Sequence, residues 1–236
     1  MKYFYTEKKH NFGKEQTIID GDEHNHLANV MRMKAGDMVA ILCGDKYEYL
    51  HQIVSIEKKK TTLSFIQKFV SPFNPSHDVT VFLGTIKSEG LSRAVTMLNE
   101  IGVSEIILFN SSHSNEKINQ KQIDKLSAIA RQSCKQCFRS IPIKISGAIS
   151  FAQMIERFPE FKNVVYCSPT ATACAKPLEG DVAIIIGPEG GFSEEENDKL
   201  SIACRQWKLS NSILRAETAA AVAAGIAISL MEKIDG

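Results

Sequence analysis

Apolar positions follow two rhythms along this chain. Up to residue 70 they fall in short runs, at 38–42, 47–56 and 61–69, separated by Gly36-Asp37, Gly44-Asp45 and Lys58-Lys59-Lys60. Short runs between turn signals predict a small β-domain. From residue 79 such runs alternate with helical stretches. Strands are expected at 79–83, 105–109, 141–145, 164–167, 182–186 and 207–209, and helices from about Glu89, up to Arg139, over 150–158 and over 217–231. This alternation predicts a parallel sheet covered by helices on both faces. Between the two rhythms lie Ser71-Pro72-Phe73-Asn74-Pro75-Ser76-His77, whose prolines and small polar residues mark a linker. The expected organisation is therefore a domain over 1–70, a linker over 71–77 and an α/β domain over 78–236.

The run Val182-Ala183-Ile184-Ile185-Ile186 has no polar position, as expected of a strand buried on both faces. It ends at Gly187-Pro188-Glu189-Gly190-Gly191, and Ser193 with Glu196 then has the spacing of a capping box, so a helix should begin there. Strand, glycine loop and helix N-terminus in close succession suit a ligand lying beyond the carboxyl end of a sheet. Phosphate-binding patterns do not fit. G-x-x-x-x-G-K-S/T is absent, the loop lacks the G-x-G-x-x-G spacing, and Pro188 removes an N–H that a phosphate cradle would use. An adenine ring with an amino-acid tail fits better, and a tight turn with no ligand is the plainer alternative.

A second segment, Leu209-Ser210-Asn211-Ser212-Ile213-Leu214-Arg215-Ala216-Glu217-Thr218-Ala219, shifts that balance. Together with the stretch from Ile186 to Glu196, it resembles the paired signature of the RsmE family, the small-subunit (16S) ribosomal RNA uridine-N3 methyltransferases of the SPOUT superfamily. Further matches are His26, Val30-Met31-Arg32, Gly36-Asp37, Lys87, Glu100-Ile101-Gly102-Val103 and Gln136-Cys137-Phe138-Arg139, so the resemblance spans nearly the whole chain. Ser210 and Phe138 stand where that family usually has glycine, and Ile101 where it has leucine.

The resemblance implies a SPOUT-type α/β methyltransferase domain with a deep trefoil knot, preceded by a PUA-like β-barrel that binds RNA. It implies S-adenosylmethionine as cofactor, held by three loops: Cys167, Ser168 and Pro169; Ile186, Gly187, Pro188, Glu189, Gly190 and Gly191; and Leu209, Ser210, Ser212, Ile213 and Leu214. A cytoplasmic homodimer acting on 16S ribosomal RNA of the small subunit is implied as well, with neither membrane nor DNA as partner.

Formal charge is nearly balanced, with 28 basic and 27 acidic side chains, but unevenly spread: residues 71–150 carry 9 basic and 6 acidic ones. There Lys117, Lys121 and Lys125, then Arg131, Lys135 and Arg139, recur four residues apart, which on a helix gives stripes able to follow a phosphate backbone. Composition alone favours an ordinary solvated face. With the resemblance, Lys121, Lys125, Arg131, Lys135 and Arg139 join Arg32 and Lys87 as candidate RNA contacts. No apolar stretch has the length of a membrane span and no early one resembles a signal peptide, so a soluble intracellular protein is expected. Six scattered cysteines suit reduced thiols. Cys134-x-x-Cys137 and His24-x-His26 lack further ligands, so no metal is expected and the two histidines read as solvated turn residues.

N3 of uridine attacks an electrophile only after losing its proton. Arg215 is the candidate for stabilising that anion, because a guanidinium stays charged and can be fixed in place. Glu189 and Glu217 are candidate proton acceptors. A loop-orienting hydrogen bond for Glu189, and a favourable charge in a helix's first turn for Glu217, remain open readings. A non-catalytic RNA-binding ribosome-assembly factor on the same fold is the alternative, and a nucleotide-dependent enzyme is disfavoured by the missing phosphate motifs.

Overall fold

The computed structural model describes residues 1–6, 16–114, 118–172 and 178–231. Two compact units divide the chain, one of residues 1–74 with 131–142 and one of residues 75–130 with 143–236. The stretch 131–142 thus packs with a unit from which the linker separates it in sequence.

In the first unit, β1 (Lys2–Tyr5), β2 (Thr17–Asp20), β3 (Met38–Leu42), β4 (Tyr47–Ile56) and β5 (Lys60–Val70) form a sheet ordered β1-β3-β4-β5-β2. α1 (Gly21–Asn25) and a π-helical turn, His26–Val30, follow β2. The last three strands are the runs foreseen from sequence; β1 and β2, four residues each, escaped that reading. Register shifts between β4 and β5 at Leu50/His51 and Ile53/Ser55 bend the sheet around Phe4, Leu27, Val39, Ile41, Ile53 and Leu63. Among the described residues β1 and β2 are edges, so backbone pairing does not close a ring. His24 is buried rather than solvated, with Nδ1 2.8 Å from Thr61 Oγ1. Buried His51 donates from Nδ1 to the Tyr49 carbonyl at 3.0 Å, which leaves Nε2 to accept from Thr17 Oγ1 at 3.2 Å.

The second unit contains β6 (Val79–Gly84), α2 (Ser88–Ile101), β7 (Glu105–Asn110), β8 (Lys144–Ser150), α4 (Phe151–Glu156), β9 (Asn163–Cys167), β10 (Val182–Ile186), α5 (Glu194–Ala203), β11 (Arg205–Trp207) and α6 (Ala216–Met231). α3 (Gln120–Cys137) begins there, and its turns from Arg131 onward count with the first unit. Six parallel strands take the order β11-β9-β10-β6-β7-β8. The central strands, β10 and β6, are buried along their length, which is why their sequences are apolar runs rather than alternating ones. Their side chains feed two cores. Val81, Leu83, Val182, Ile184 and Ile186 pack with Leu91 and Leu98 of α2, Leu126 of α3 and Ala220 and Ala224 of α6. On the opposite face Phe82, Ala183, Ile185 and Phe109 meet Met154 of α4 and Leu200 of α5.

Two strands lie elsewhere than the sequence suggests. The one expected at 141–145 runs from Lys144, because the preceding backbone is engaged by side chains: Ser140 N and Ile141 N donate to Asn74 Oδ1 at 3.0 and 3.2 Å, and Ile143 N donates to Asn99 Oδ1 at 2.8 Å. Those N–H groups cannot also join a ladder. The strand expected at 207–209 ends at Trp207, whose carbonyl accepts from Ser168 N at 3.0 Å just beyond the end of its partner β9.

Candidate active site

Loops leaving the carboxyl ends of β6, β7, β9 and β10 meet at one edge of the parallel sheet, where backbone groups are free for a ligand. Gly84, the last residue of β6, lies so near the Gly187–Pro188 turn that a Cβ there would sit 2.4 Å from Pro188 N and 2.6 Å from its Cδ. Only glycine permits that approach. Gly191, at φ +69°, turns the chain toward α5. Phe192 then folds back, its ring stacked 6.0 Å from Phe109 and edge-on 5.5 Å from Tyr166. The capping box of Ser193 and Glu196 forms as expected, and Glu196 does more than cap. Its Oε1 accepts from Ser112 N at 2.8 Å and from Ser112 Oγ at 3.1 Å, tying the glycine loop to the loop after β7.

These segments enclose a cavity of about 1190 Å³. One wall is Tyr166 to Thr170; a second is Ile186, Gly187, Pro188, Glu189, Gly191 and Phe192; a third is Ile213 to Glu217 with Ala219; a fourth is Lys87, Glu89, Gly90 and Arg93. Of the residues chosen from sequence, Cys167, Ser168, Pro169, Ile186, Gly187, Pro188, Glu189, Gly191, Ile213, Leu214, Arg215, Glu217 and Lys87 all line it. Gly190 backs onto His113, whose Nδ1 lies 3.1 Å from the Gly190 carbonyl. Leu209, Ser210 and Ser212 stand outside the lining. Ser210 Oγ accepts from Ser212 N at 3.1 Å, and its φ is not positive, so serine is accommodated there without strain.

The residue that sequence reasoning missed is Arg93. It donates from Nη2 to Glu217 Oε1 at 2.8 Å and from Nη1 to Glu89. Its one sequence signal was the four-residue spacing to Glu89 on a helix. Burial raises the Glu217 carboxyl, but the Arg93 hydrogen bond, with the charges of Arg93 and Arg215, outweighs burial and holds it below the usual glutamate range. Glu217 is therefore ionised and engaged, while Glu189 and Arg215 are exposed at the cavity. Burial pushes the Cys167 thiol up to about 12, which keeps it protonated and unreactive.

A family model described as RNA methyltransferase domain matches residues 73–228, and one described as RNA methyltransferase PUA domain matches residues 19–66. The chain belongs to the RNA methyltransferase domain family. Two relatives named Ribosomal RNA small subunit methyltransferase E resemble it over most of their length. The Helicobacter pylori protein is 28% identical over 83% of this chain and 85% of its own, and the Bacillus subtilis protein 26% identical over 93% and 92%. Among solved structures, the Neisseria gonorrhoeae enzyme of that name bound to S-adenosyl methionine aligns with a TM-score of 0.86 at 19% identity over 98% of both chains. A putative methyltransferase from Legionella pneumophila in complex with the same molecule aligns at 0.86 and 23% over 96% of both. These two likenesses concern the fold.

In this RNA methyltransferase family member the candidate RNA contacts are differently placed. Lys121 and Lys125 are exposed on α3, and Arg32 is exposed at φ 52°. Arg131 is half-buried. Lys135 donates to Glu23 at 2.7 Å, and Arg139 lies past the end of α3 with its side chain buried. Lys117 falls outside the described residues. Cys134 and Cys137 are not joined in a disulfide, and among the described residues no group of three or more His, Cys, Asp and Glu is gathered as a metal site would require.

Proposed function

We propose that this chain is an S-adenosylmethionine-dependent methyltransferase acting on N3 of a specific uridine in 16S ribosomal RNA of the small ribosomal subunit. The observation that carries the proposal is the cavity whose walls come from the loops after β9 and β10 and the segment before α6. Relatives that span most of the chain and are named as ribosomal RNA small subunit methyltransferases support it.

The residues present fit the donor. Ile186, Pro188, Phe192 and Leu214 offer apolar contact to an adenine ring, and Gly187 and Gly191 present backbone without a side chain in the way. Bound S-adenosylmethionine supplies an electrophilic methyl group. Arg215 stabilises the negative charge that develops on the uracil as N3 gives up its proton. Glu217 is already held by Arg93, so of the two candidate acceptors Glu189, exposed in the glycine loop, is the better placed to take that proton. Alignment of N3 with the donor inside the cavity contributes the remainder through proximity.

The same reading carries a deep trefoil knot in which the last part of the chain is threaded through a loop, an RNA-binding PUA-like domain over 1–70 and a catalytic domain over 78–236. It also carries a homodimer working in the cytoplasm, where small ribosomal subunits are the substrate. The PUA match supports the second of these, and no helix among the described residues is long and apolar enough to cross a membrane.

Transfer of a labelled methyl group to under-methylated small ribosomal subunits tests the proposal. Wild-type protein should modify one uridine at N3, and Arg215→Ala should do so far more slowly. RNA binding without transfer by the wild type would assign the fold to an assembly factor, and no donor binding by calorimetry would sink the methyltransferase reading.

A further inference from the structure

Phe138 holds a backbone conformation that phenylalanine rarely takes, with φ +64° immediately after α3. The left-handed region disfavours any residue with a Cβ, and a strained residue kept in place often serves a purpose beyond packing. The ring lies 4.4 Å from Tyr3 and 5.5 Å from Phe73, both in the same unit, yet remains 36% exposed, with Phe73 49% exposed. The backbone around both rings is held by hydrogen bonds. Asn74 Oδ1 clamps Ser140 N and Ile141 N, Ser140 Oγ donates to the Asp45 carbonyl at 2.6 Å, and Ser71 Oγ, which donates to Glu48 at 2.7 Å, accepts from Phe73 N at 3.3 Å. The Lys46 carbonyl accepts from Ser71 N at 2.9 Å and from Asn74 Nδ2 at 3.4 Å, while its ammonium lies 5.4 Å over the Tyr47 ring.

Charge says what such rings face. Residues 1–74 hold 11 basic and 9 acidic side chains, and Arg131, Lys135 and Arg139 bring the unit to 14 against 9, a net of +5. The other unit has 14 basic and 18 acidic side chains, a net of −4. A near-neutral chain is thus split into a cationic and an anionic unit, and the exposed rings belong to the cationic one. Exposed aromatic faces on a unit of positive net charge suit single-stranded nucleic acid, whose bases stack while its phosphates meet cations.

We infer that Phe138 and Phe73, backed by Tyr3, form a stacking platform for an unpaired base of the RNA substrate. The inference rests on the RNA-directed function proposed above and adds a base-binding subsite to it. Stacking accepts any base, so the platform contributes affinity for single strands rather than choice of sequence.

Titration of labelled single-stranded 16S fragments, and of a duplex of the same sequence, against wild type, Phe138→Gly, Phe73→Ala and the double variant tests it across a salt series. Glycine adopts φ +64° freely, so Phe138→Gly should keep its fold and its donor affinity. Single-strand affinity should fall roughly 5- to 150-fold for each ring removed, with duplex binding little changed. The slope of affinity against salt should not move, because every phosphate keeps its cation. Wild-type affinity in both single variants overturns the platform. So does a shallower salt slope, or altered self-association in sedimentation at unchanged RNA affinity, which would give the rings to a second copy of the chain. A wild type that binds no RNA overturns the RNA reading beneath, and the platform with it.

Discussion

Arg93 reaches from α2 to donate a 2.8 Å hydrogen bond to Glu217, the second residue of α6, across 124 positions of sequence. Glu217 is buried and sits in a helix's first turn, where a negative charge is favoured, so both partners hold it ionised. Its folded-state carboxyl is depressed, and such a group adds stability that is present above its unfolded value and lost as pH falls through its folded value. Arg93→Ala should therefore be less stable than wild type at neutral pH, with the gap closing on acidification below the glutamate range. Urea unfolding followed from pH 7 down to about pH 2 checks this, and a gap that stays constant to the acid end would break the linkage. The accompanying Arg93–Glu89 pair is exposed and should contribute little.

Arg215 carries the charge that the proposed reaction needs. Arg215→Ala should lower methyl transfer on the order of 100- to 1000-fold, the usual cost of removing one preorganised donor from a developing anion. Donor affinity by calorimetry and the melting temperature should hold, since the side chain is exposed. Arg215→Lys should recover little, because an ammonium lacks the planar fork.

Gly84 has no room for a side chain. A methyl group there would meet the Pro188 nitrogen at 2.4 Å, and that atom is backbone, so relief requires moving the glycine loop. Gly84→Ala should cost about 1–3 kcal/mol in urea unfolding and weaken donor binding together with it. Loss of stability with donor binding intact would mean that the loop does not form the donor's wall.

Elements with a strong local signature were legible in the chain. The apolar run of β10 and the Ser193–Glu196 box form as read, and residues of the glycine loop and of Ile213 to Glu217 meet in one cavity. What escaped was set by distant partners. Asn74 clamps Ser140 and Ile141 and so shifts β8, Thr61 buries a histidine that looked like a turn residue, and Arg93 finds Glu217 through helix packing. Periodicity records which face of an element is apolar, not which polar side chain waits opposite. Phe138 shows the same limit: its ring fits a hydrophobic pattern, while the positive φ that makes it unusual is a property of the folded turn.

The lysines of α3 separate electrostatic from structural roles. Lys121 and Lys125 are exposed, whereas Lys135 is spent on Glu23 at 2.7 Å, with both side chains largely buried. Reversing Lys121 and Lys125 to glutamate should weaken RNA binding at low salt and flatten the log–log salt dependence by about 0.7 for each single-strand phosphate left without its cation. Melting should not change, since neither lysine supports the fold. Lys135→Glu should instead lower the melting temperature, because it sets two carboxylates against each other where water cannot screen them well. Binding isotherms between low and moderate salt, paired with thermal melts, distinguish the outcomes. An unchanged salt slope in the Lys121/Lys125 variant would remove α3 from the RNA-binding surface.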